Sequence, residues 1–402
     1  MSTMKPYLFN LLLIPCLLFL NSCRDVNKAK SFEQMADRIS KHYVEDSRVD
    51  RLEIEHKSTF QGLLVKGYTT IPEVYDSIQA VLSEGGFVVA QNNFRLLPDA
   101  KLLEGKTAGI INVSVANLRS KPGHSQELAT QALMGTPIQV LDFKDGWYLV
   151  RTPDRYLAWL EPGAFVAMRP QEAQGWFNED LRMYTGPTSV MKSEEGDIVT
   201  DLVFGNLLRY ADTDWAEDKM VLVELPDGTH GYVKGSFLVP PLLQSSILRT
   251  EALLESAFAN AGRPYLWGGT SPKAMDCSGF TKTAFYENGF VIPRDASQQV
   301  LAGKVVELTP DFHNLKPGDL LFFGRFREDG SEKITHVGFY TGEGRFLHAG
   351  ADNGRIVEQS LRPEDEDFAE HRLKSLLQAR RLEPGTEGVV PVGTAFTDIL
   401  KQ

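Results

Sequence analysis

The sequence predicts an α+β protein of several domains, with small β modules ahead of a domain that runs helix first and strands after. Two observations lead there. Between residues 107 and 240, short alternating segments recur in the same order and are divided by Asp-Gly turns, the pattern of small antiparallel β modules. From 245 to 382, helical spacing comes first and strand-like runs follow, which is the α+β order. At 402 residues the chain has room for roughly two to four domains with ordinary cores.

Residues 1–22 read as a signal peptide. Lys5 gives the positive start, and Tyr7 to Leu20 is an apolar run, interrupted by Asn10 and Pro15. That run is shorter than the ~20 residues a spanning helix needs. Leu20-Asn21-Ser22-Cys23 resembles a bacterial lipoprotein box, so Cys23 is the expected lipidation site and mature N-terminus. The expected location is therefore the cell envelope of a bacterium, as an exported, membrane-anchored lipoprotein. Residues 23–106 read as a tether followed by a small α/β unit, with a helix over 31–42, a strand over 51–55 or 60–65, a helix over 71–83, and a strand over 87–90 after Gly85-Gly86.

Two β modules follow, at 107–170 and 180–240. The first holds Met134-Gly135-Thr136-Pro137, Asp145-Gly146-Trp147-Tyr148 and Tyr156-Leu157-Ala158-Trp159. The second repeats that order with Phe204-Gly205-Asn206-Leu207, Val221-Leu222-Val223 and Asp227-Gly228 before Gly231-Tyr232-Val233. Pro240-Pro241 marks a linker. The third region, 245–382, has a helix from Glu251 to Ala261, a second helix after Asp276, and strands around His336 and His348 joined by the turn Thr341-Gly342-Glu343-Gly344. Residues 383–402 read as a weakly ordered tail.

Net charge is −11, and loss of Lys5 with the leader makes the mature chain one unit more negative. No basic stripe exists, which argues against a nucleic-acid partner. The chain has three cysteines, Cys16 and Cys23 in the leader and Cys277 alone in the body, so the fold does not depend on disulfides. A lone cysteine is usually a small buried hydrophobe. The surroundings of Cys277 say otherwise. A Gly-Gly turn precedes it, Asp276 and Ser278 flank it, and helical spacing from Ser278 to Asn288 puts it at a helix N-terminus, where a thiolate is favoured. His336 is the candidate base and His348 the residue that orients it. The Cys277 backbone N–H is a candidate oxyanion donor. The remaining histidines, of eight in all, read as surface residues. No metal and no cofactor is expected, because the body has no Cys-x-x-Cys or His-x-x-x-His pair.

Tyr265-Leu266-Trp267-Gly268-Gly269, Asp276-Cys277-Ser278-Gly279-Phe280, Pro293-Arg294-Asp295, Lys316-Pro317-Gly318-Asp319 and His336-Val337-Gly338 together resemble the NlpC/p60 family of papain-like cell-wall cysteine peptidases. The β modules resemble bacterial SH3-like barrels. The resemblance implies a papain-like catalytic domain over 245–382, a Cys277, His336 and His348 triad, and peptidoglycan-derived peptides as partners. The architecture further resembles γ-D-glutamyl-L-diamino acid endopeptidases, also called dipeptidyl-peptidase VI, which release L-Ala-γ-D-Glu from stem peptides with a free L-Ala amine. By that resemblance Tyr265, Asp276, Ser278 and Ser297 line the substrate pocket, and Glu127 and Tyr156 of the first module close it, with Glu127 and Asp276 facing the ammonium. Two other functions fit the same motifs: remodelling of intact, cross-linked wall, and wall binding by a lipoprotein with an inactive peptidase domain.

Overall fold

The computed structural model describes residues 30–212 and 219–401. The leader and Cys23 lie outside the described residues. The chain divides into two compact units, Met1–Asp99 and Ala100–Gln402.

In the first unit, helix α1 covers residues 30–43. Strands β1 (Leu52–Thr59), β2 (Gly62–Thr69) and β3 (Val89–Leu96) form one sheet, with helix α2 (Pro72–Glu84) crossing between β2 and β3. β1 and β2 pair antiparallel, whereas β2 and β3 pair parallel, as a strand–helix–strand crossover requires. Val74, Ile78 and Leu82 recur at helical spacing on α2 and bury against Phe32, Val65 and Phe94.

The second unit opens with β4 (Ala108–Ile111), β5 (Val115–Arg119), β6 (Leu128–Leu133), β7 (Pro137–Lys144), β8 (Trp147–Arg151), β9 (Leu157–Leu160) and β10 (Phe165–Met168). They form one antiparallel sheet in the order β10-β4-β7-β8-β9-β5-β6. Asp145 and Gly146 both have positive φ, +52° and +80°, the geometry of a tight hairpin turn between β7 and β8. Leu103 packs into this module's core, so the second unit starts earlier than residue 107. Helix α3 (Pro170–Trp176) leads to the second module, β11 (Leu181–Tyr184), β12 (Ser189–Lys192), β13 (Ile198–Leu202), β14 (Leu207–Tyr210), β15 (Met220–Glu224), β16 (His230–Lys234) and β17 (Leu238–Val239). These strands also make one antiparallel sheet around a separate core.

The third region contains α4 (Thr250–Ala259), β18 (Thr270–Ser271), β19 (Ala274–Met275), α5 (Cys277–Glu287), β20 (Phe290–Val291) and α6 (Ala296–Gln299). Then come β21 (Lys304–Val306), β22 (Leu320–Phe326), β23 (Glu332–Gly342), β24 (Arg345–Gly350), β25 (Arg355–Ser360), α7 (Glu370–Ser375) and β26 (Leu376–Arg381). The main sheet runs β21-β26-β22-β23-β24-β25. α5 packs across it: Phe280, Ala284 and Phe285 are fully buried against Phe322, Val337 and Phe339. That packing fixes the start of α5 beside the middle of β23.

The expected loose tail is instead ordered. β27 (Val390–Pro391) pairs with β20, and α8 (Val392–Lys401) buries Val392, Ala395, Phe396, Ile399 and Leu400. Those positions recur three and four apart, so one helix face is apolar and closes a cluster with Met183, Leu207 and Val291. The short length and the polar residues before it hid this from the sequence. No described helix is long and apolar enough to cross a membrane.

Candidate active site

Cys277 is the first residue of α5. Asp276 before it is the N-cap in extended backbone, and its Oδ1 accepts the Gly279 N–H at 2.7 Å, meeting one of the donors a helix start leaves unpaired. The thiol is almost fully enclosed, at 9% exposure. The helix N-terminus was expected to favour thiolate. The opposite holds: burial pushes the thiol up to about 12, the neighbouring Asp276 charge adds to the rise, and the Val337 N–H, Arg294 and the Ser278 N–H offset only part of it. The negative charge that caps the helix cancels much of what the helix end supplies.

The histidines come from the β23–β24 hairpin. Its register puts Phe339 opposite Leu347 and Tyr340 opposite Phe346, so His348 falls across from Gly338 and diagonal to His336 on one face. Gly338 is required for this, since a Cβ there would lie 2.9 Å from the His348 Cβ. His336 Nε2 and His348 Nδ1 are 2.8 Å apart, and His348 Nε2 lies 2.9 Å from Gln359 Oε1. Gln359 was not singled out from the sequence. It sits on β25 two residues beyond Val357, which pairs with His348, so the same diagonal rule would have found it.

The order of these atoms sets the protons. Gln359 Oε1 also accepts from Asn353 Nδ2 at 3.2 Å, which identifies it as the carbonyl oxygen. An oxygen only accepts, so His348 carries its proton on Nε2 and presents a bare Nδ1. His336 then donates from Nε2, and its Nδ1 is left unprotonated. Burial, then the Arg372 charge, holds His336 well below its ordinary value, and burial brings His348 down to about 4. Burial thus works against the charged form of both rings, as it does against the thiolate of Cys277.

The expected pocket residues divide. Tyr265 is half-buried, and its phenol is pushed up by burial first and then by Cys277 and Asp276, so it faces the thiol. Asp276 does not stand free as a counter-charge. Arg294, 1% exposed, forks onto both its oxygens at 3.1 and 2.7 Å, and Gly268 N–H donates to Oδ2 at 2.9 Å. With Gly279 N–H on Oδ1 as well, the carboxylate is fully engaged. Ser278 is buried, and its Oγ accepts from Arg294 at 3.0 Å. Arg294 Nε reaches the first β module at Thr130 Oγ1, 3.0 Å away. Arg294 was read only as part of a motif; a buried arginine needs a buried acid, and Asp276 was the nearest one available.

Glu127 is exposed, and its Oε1 accepts from the Trp267 indole N–H at 2.7 Å. Tyr156 is buried, and its hydroxyl donates to Asp295 Oδ2 at 3.2 Å. Both therefore come from the first module to the catalytic region. Ser297, on α6, lines a groove with Leu301, Arg327, Lys333, Ile334 and Gln378. His371 is exposed as expected, but it is not remote: it and Arg372 both bind Asp352, at 3.0 and 2.9 Å, and the Arg372 guanidinium lies 5.9 Å from the Phe323 ring centre, whose ring in turn packs on His336. Among the described residues, no group of three or more His, Cys, Asp or Glu side chains is arranged to hold a metal ion.

A profile of the NlpC/P60 family matches residues 262–373, which span Cys277, His336 and His348. A profile of the bacterial dipeptidyl-peptidase Sh3 domain matches residues 118–165, which span Glu127 and Tyr156. A γ-D-glutamyl-L-lysine dipeptidyl-peptidase of Bacillus subtilis is 31% identical over 239 residues, 58% of this chain and 75% of that one. The chain belongs to the NlpC/P60 family. Another relative, dipeptidyl-peptidase 6 of Lysinibacillus sphaericus, is 28% identical over 63% of this chain and 91% of its own length. The crystal structure of an NlpC/P60 family protein from Bacillus cereus superposes with a TM-score of 0.57 at 24% identity, covering 69% of this chain and all of that one. An NlpC/P60 endopeptidase from Photobacterium damselae shares the fold at a TM-score of 0.52 and 13% identity, over 90% of this chain and 93% of its own. The NlpC/P60 domain and its neighbouring Sh3 domain thus occur together, as the α+β reading with SH3-like modules expected.

Two outcomes follow from the site's charges. With the thiol protonated at neutral pH, the rate of Cys277 alkylation by iodoacetamide is expected to climb about tenfold per pH unit from 6 to 8. A rate already flat across that range would mean a preformed thiolate. Arg294→Ala leaves Asp276 buried without its cation, so urea unfolding should show a loss of about 3–5 kcal/mol. A change under 1 kcal/mol would mean that water relieves the charge.

Proposed function

We propose that this NlpC/P60 protein is a cysteine peptidase that hydrolyses the γ-D-Glu–L-diamino acid bond of peptidoglycan stem peptides with a free N-terminal L-Ala, releasing L-Ala-γ-D-Glu. The observation that carries it is the His336–His348–Gln359 chain, which leaves one bare imidazole nitrogen on the strand whose next residue, Val337, contacts the Cys277 thiol. The name of the Bacillus subtilis relative, a γ-D-glutamyl-L-lysine dipeptidyl-peptidase, supports the bond class.

In this mechanism Cys277 Sγ attacks the γ-carbonyl carbon of D-Glu as its proton passes to His336 Nδ1. The imidazolium is held by His348, and the oxyanion takes the Cys277 backbone N–H at the start of α5. Collapse breaks the C–N bond, and His336 returns its proton to the leaving amine. Water then attacks the thioester with His336 again as base, the C–S bond breaks, His336 returns the proton to Cys277 Sγ, and the dipeptide leaves as a free acid. Proton transfer within the attack suits a pair whose charged forms burial disfavours.

The free amine lies two residues before the scissile bond. Glu127 is the carboxylate for it, because Asp276 already has Arg294. Tyr265 and Ser297 flank the dipeptide, Ser278 contributes through the helix start, and Tyr156 walls the pocket from the module. Joining the L-Ala amine in an amide removes the charge that Glu127 meets and adds bulk against the module. The expected result is a fall in kcat/KM of roughly 10²-fold or more for N-acetylated L-Ala-γ-D-Glu-L-Lys against the free tripeptide, with no turnover of either by Cys277→Ala. Equal cleavage of the two peptides by the wild type would instead favour action on intact wall.

An extracytoplasmic location agrees with the NlpC/P60 family and with the leader-like residues 1–22. Cys23 as a lipid-bearing N-terminus would hold it at a membrane. Cys23→Ser should then move the protein to the soluble fraction; unchanged fractionation with an unchanged N-terminal mass would remove the anchor.

A further inference from the structure

Trp267 is 63% exposed, although it is among the largest side chains in the protein and stands ten residues ahead of Cys277, the first residue of its helix. Its indole has a single polar atom, an N–H that only donates. That N–H goes to Glu127 Oε1 at 2.7 Å, across 140 residues of sequence and from the catalytic region to the first β module. No ion pair involves Glu127 among the described residues. The indole is thus the group that fixes this carboxylate.

The backbones carrying the two side chains are pressed together. Gly268 has φ +79°, and a Cβ there would lie 2.2 Å from the Leu128 carbonyl oxygen and 2.7 Å from its carbon. Only glycine permits that approach. Thr270 and Gln131 close the seam two residues further along: Gln131 N–H donates to Thr270 Oγ1 at 3.2 Å, Thr270 N–H to Gln131 Oε1 at 3.0 Å, and Thr270 Oγ1 to Gln131 O at 2.8 Å. From Gly268 the connection runs on through its N–H to Asp276 Oδ2, and Asp276 caps the helix that begins with Cys277. A short, hydrogen-bonded path therefore ties the Glu127 carboxylate to the thiol.

We infer that Trp267 is a positioning residue for recognition of the substrate ammonium: its indole N–H fixes Glu127 at a set distance from Cys277, so the site measures one dipeptide between free amine and scissile bond. The inference rests on the amine-pocket reading above. A glutamate on an exposed loop samples many rotamers, and each must be frozen when a ligand binds. The indole bond freezes them beforehand. It also occupies one carboxylate oxygen and leaves the other for the ammonium. A longer or shorter peptide would bring its amine away from the carboxylate that the indole holds.

The test is a double-mutant cycle with steady-state kinetics on L-Ala-γ-D-Glu-L-Lys and its N-acetyl form, using wild type, Trp267→Phe, Glu127→Ala and the double variant. Phenylalanine keeps an aromatic ring and removes the N–H together with the rest of the five-membered ring, and the Glu127→Ala background separates loss of the N–H bond from loss of bulk. The expected result for Trp267→Phe is a rise in KM for the free tripeptide of about 5- to 10-fold, kcat within about twofold, and a matching loss of free-over-acetylated preference. In the Glu127→Ala background the same substitution should add nothing. An equal cost in both backgrounds would overturn the inference, as would a fall in kcat shared by both peptides, which a merely structural role would give. If Glu127→Ala itself leaves free-tripeptide kinetics at the wild-type level, the amine-pocket reading fails and takes this inference with it.

Discussion

A buried guanidinium ties the start of the cysteine helix to the neighbouring module. Arg294 meets Asp276, Ser278 and Thr130, and so joins the cap of the cysteine helix to the first β module. Two charges buried in an apolar setting cost several kcal/mol each in lost hydration, and only a bidentate, fully hydrogen-bonded geometry offsets that. The consequences reach the reaction. Asp276 caps α5 while Arg294 forks onto both its oxygens, and burial first, with the Asp276 charge adding to it, pushes the thiol up. A neutral cap would leave a more acidic cysteine and remove the link to the module.

The histidine chain shows how a strand pattern becomes a proton arrangement. Gly338 lets His348 cross the hairpin, the diagonal neighbours bring His336 and Gln359 to it, and Gln359 fixes both tautomers through an oxygen that can only accept. Burial first, and then the Arg372 charge, makes protonation of His336 harder, and burial does the same for His348. No acidic third residue is needed. An aspartate in place of Gln359 would raise the imidazole values and favour the ion pair, which would alter how the thiol is activated.

The seam between the first module and the catalytic region is held by hydrogen bonds and a salt bridge. Tyr156 reaches Asp295, Gln131 exchanges three bonds with Thr270, and Lys282 pairs with the buried Asp154 at 3.0 Å. Such contacts satisfy groups that would otherwise be unpaired on burial, and they fix orientation more strictly than apolar packing does. A module that only held glycan at a distance would have no need of that precision.

The sequence by itself determined the order of domains, the cysteine at a helix start and the two histidines on adjoining strands. Those are local facts: Asp276 before a helical run, a turn at Glu343-Gly344, alternation along β23 and β24. It also carried enough family-specific motif to name the fold. What it did not determine was who pairs with whom. Arg294 and Asp276 are 18 residues apart, and Trp267 and Glu127 are 140 apart, so no periodicity links them. Asp276 looked like a free counter-charge for the same reason that its helix looked like a thiolate site, since a sequence shows charges without their partners. The closing helix was hidden too, because an apolar stripe on one short helix signals nothing until another surface is there to cover it. Tertiary structure decided these points because burial and desolvation, which set both ionisation and pairing, depend on what the folded chain brings within a few ångströms.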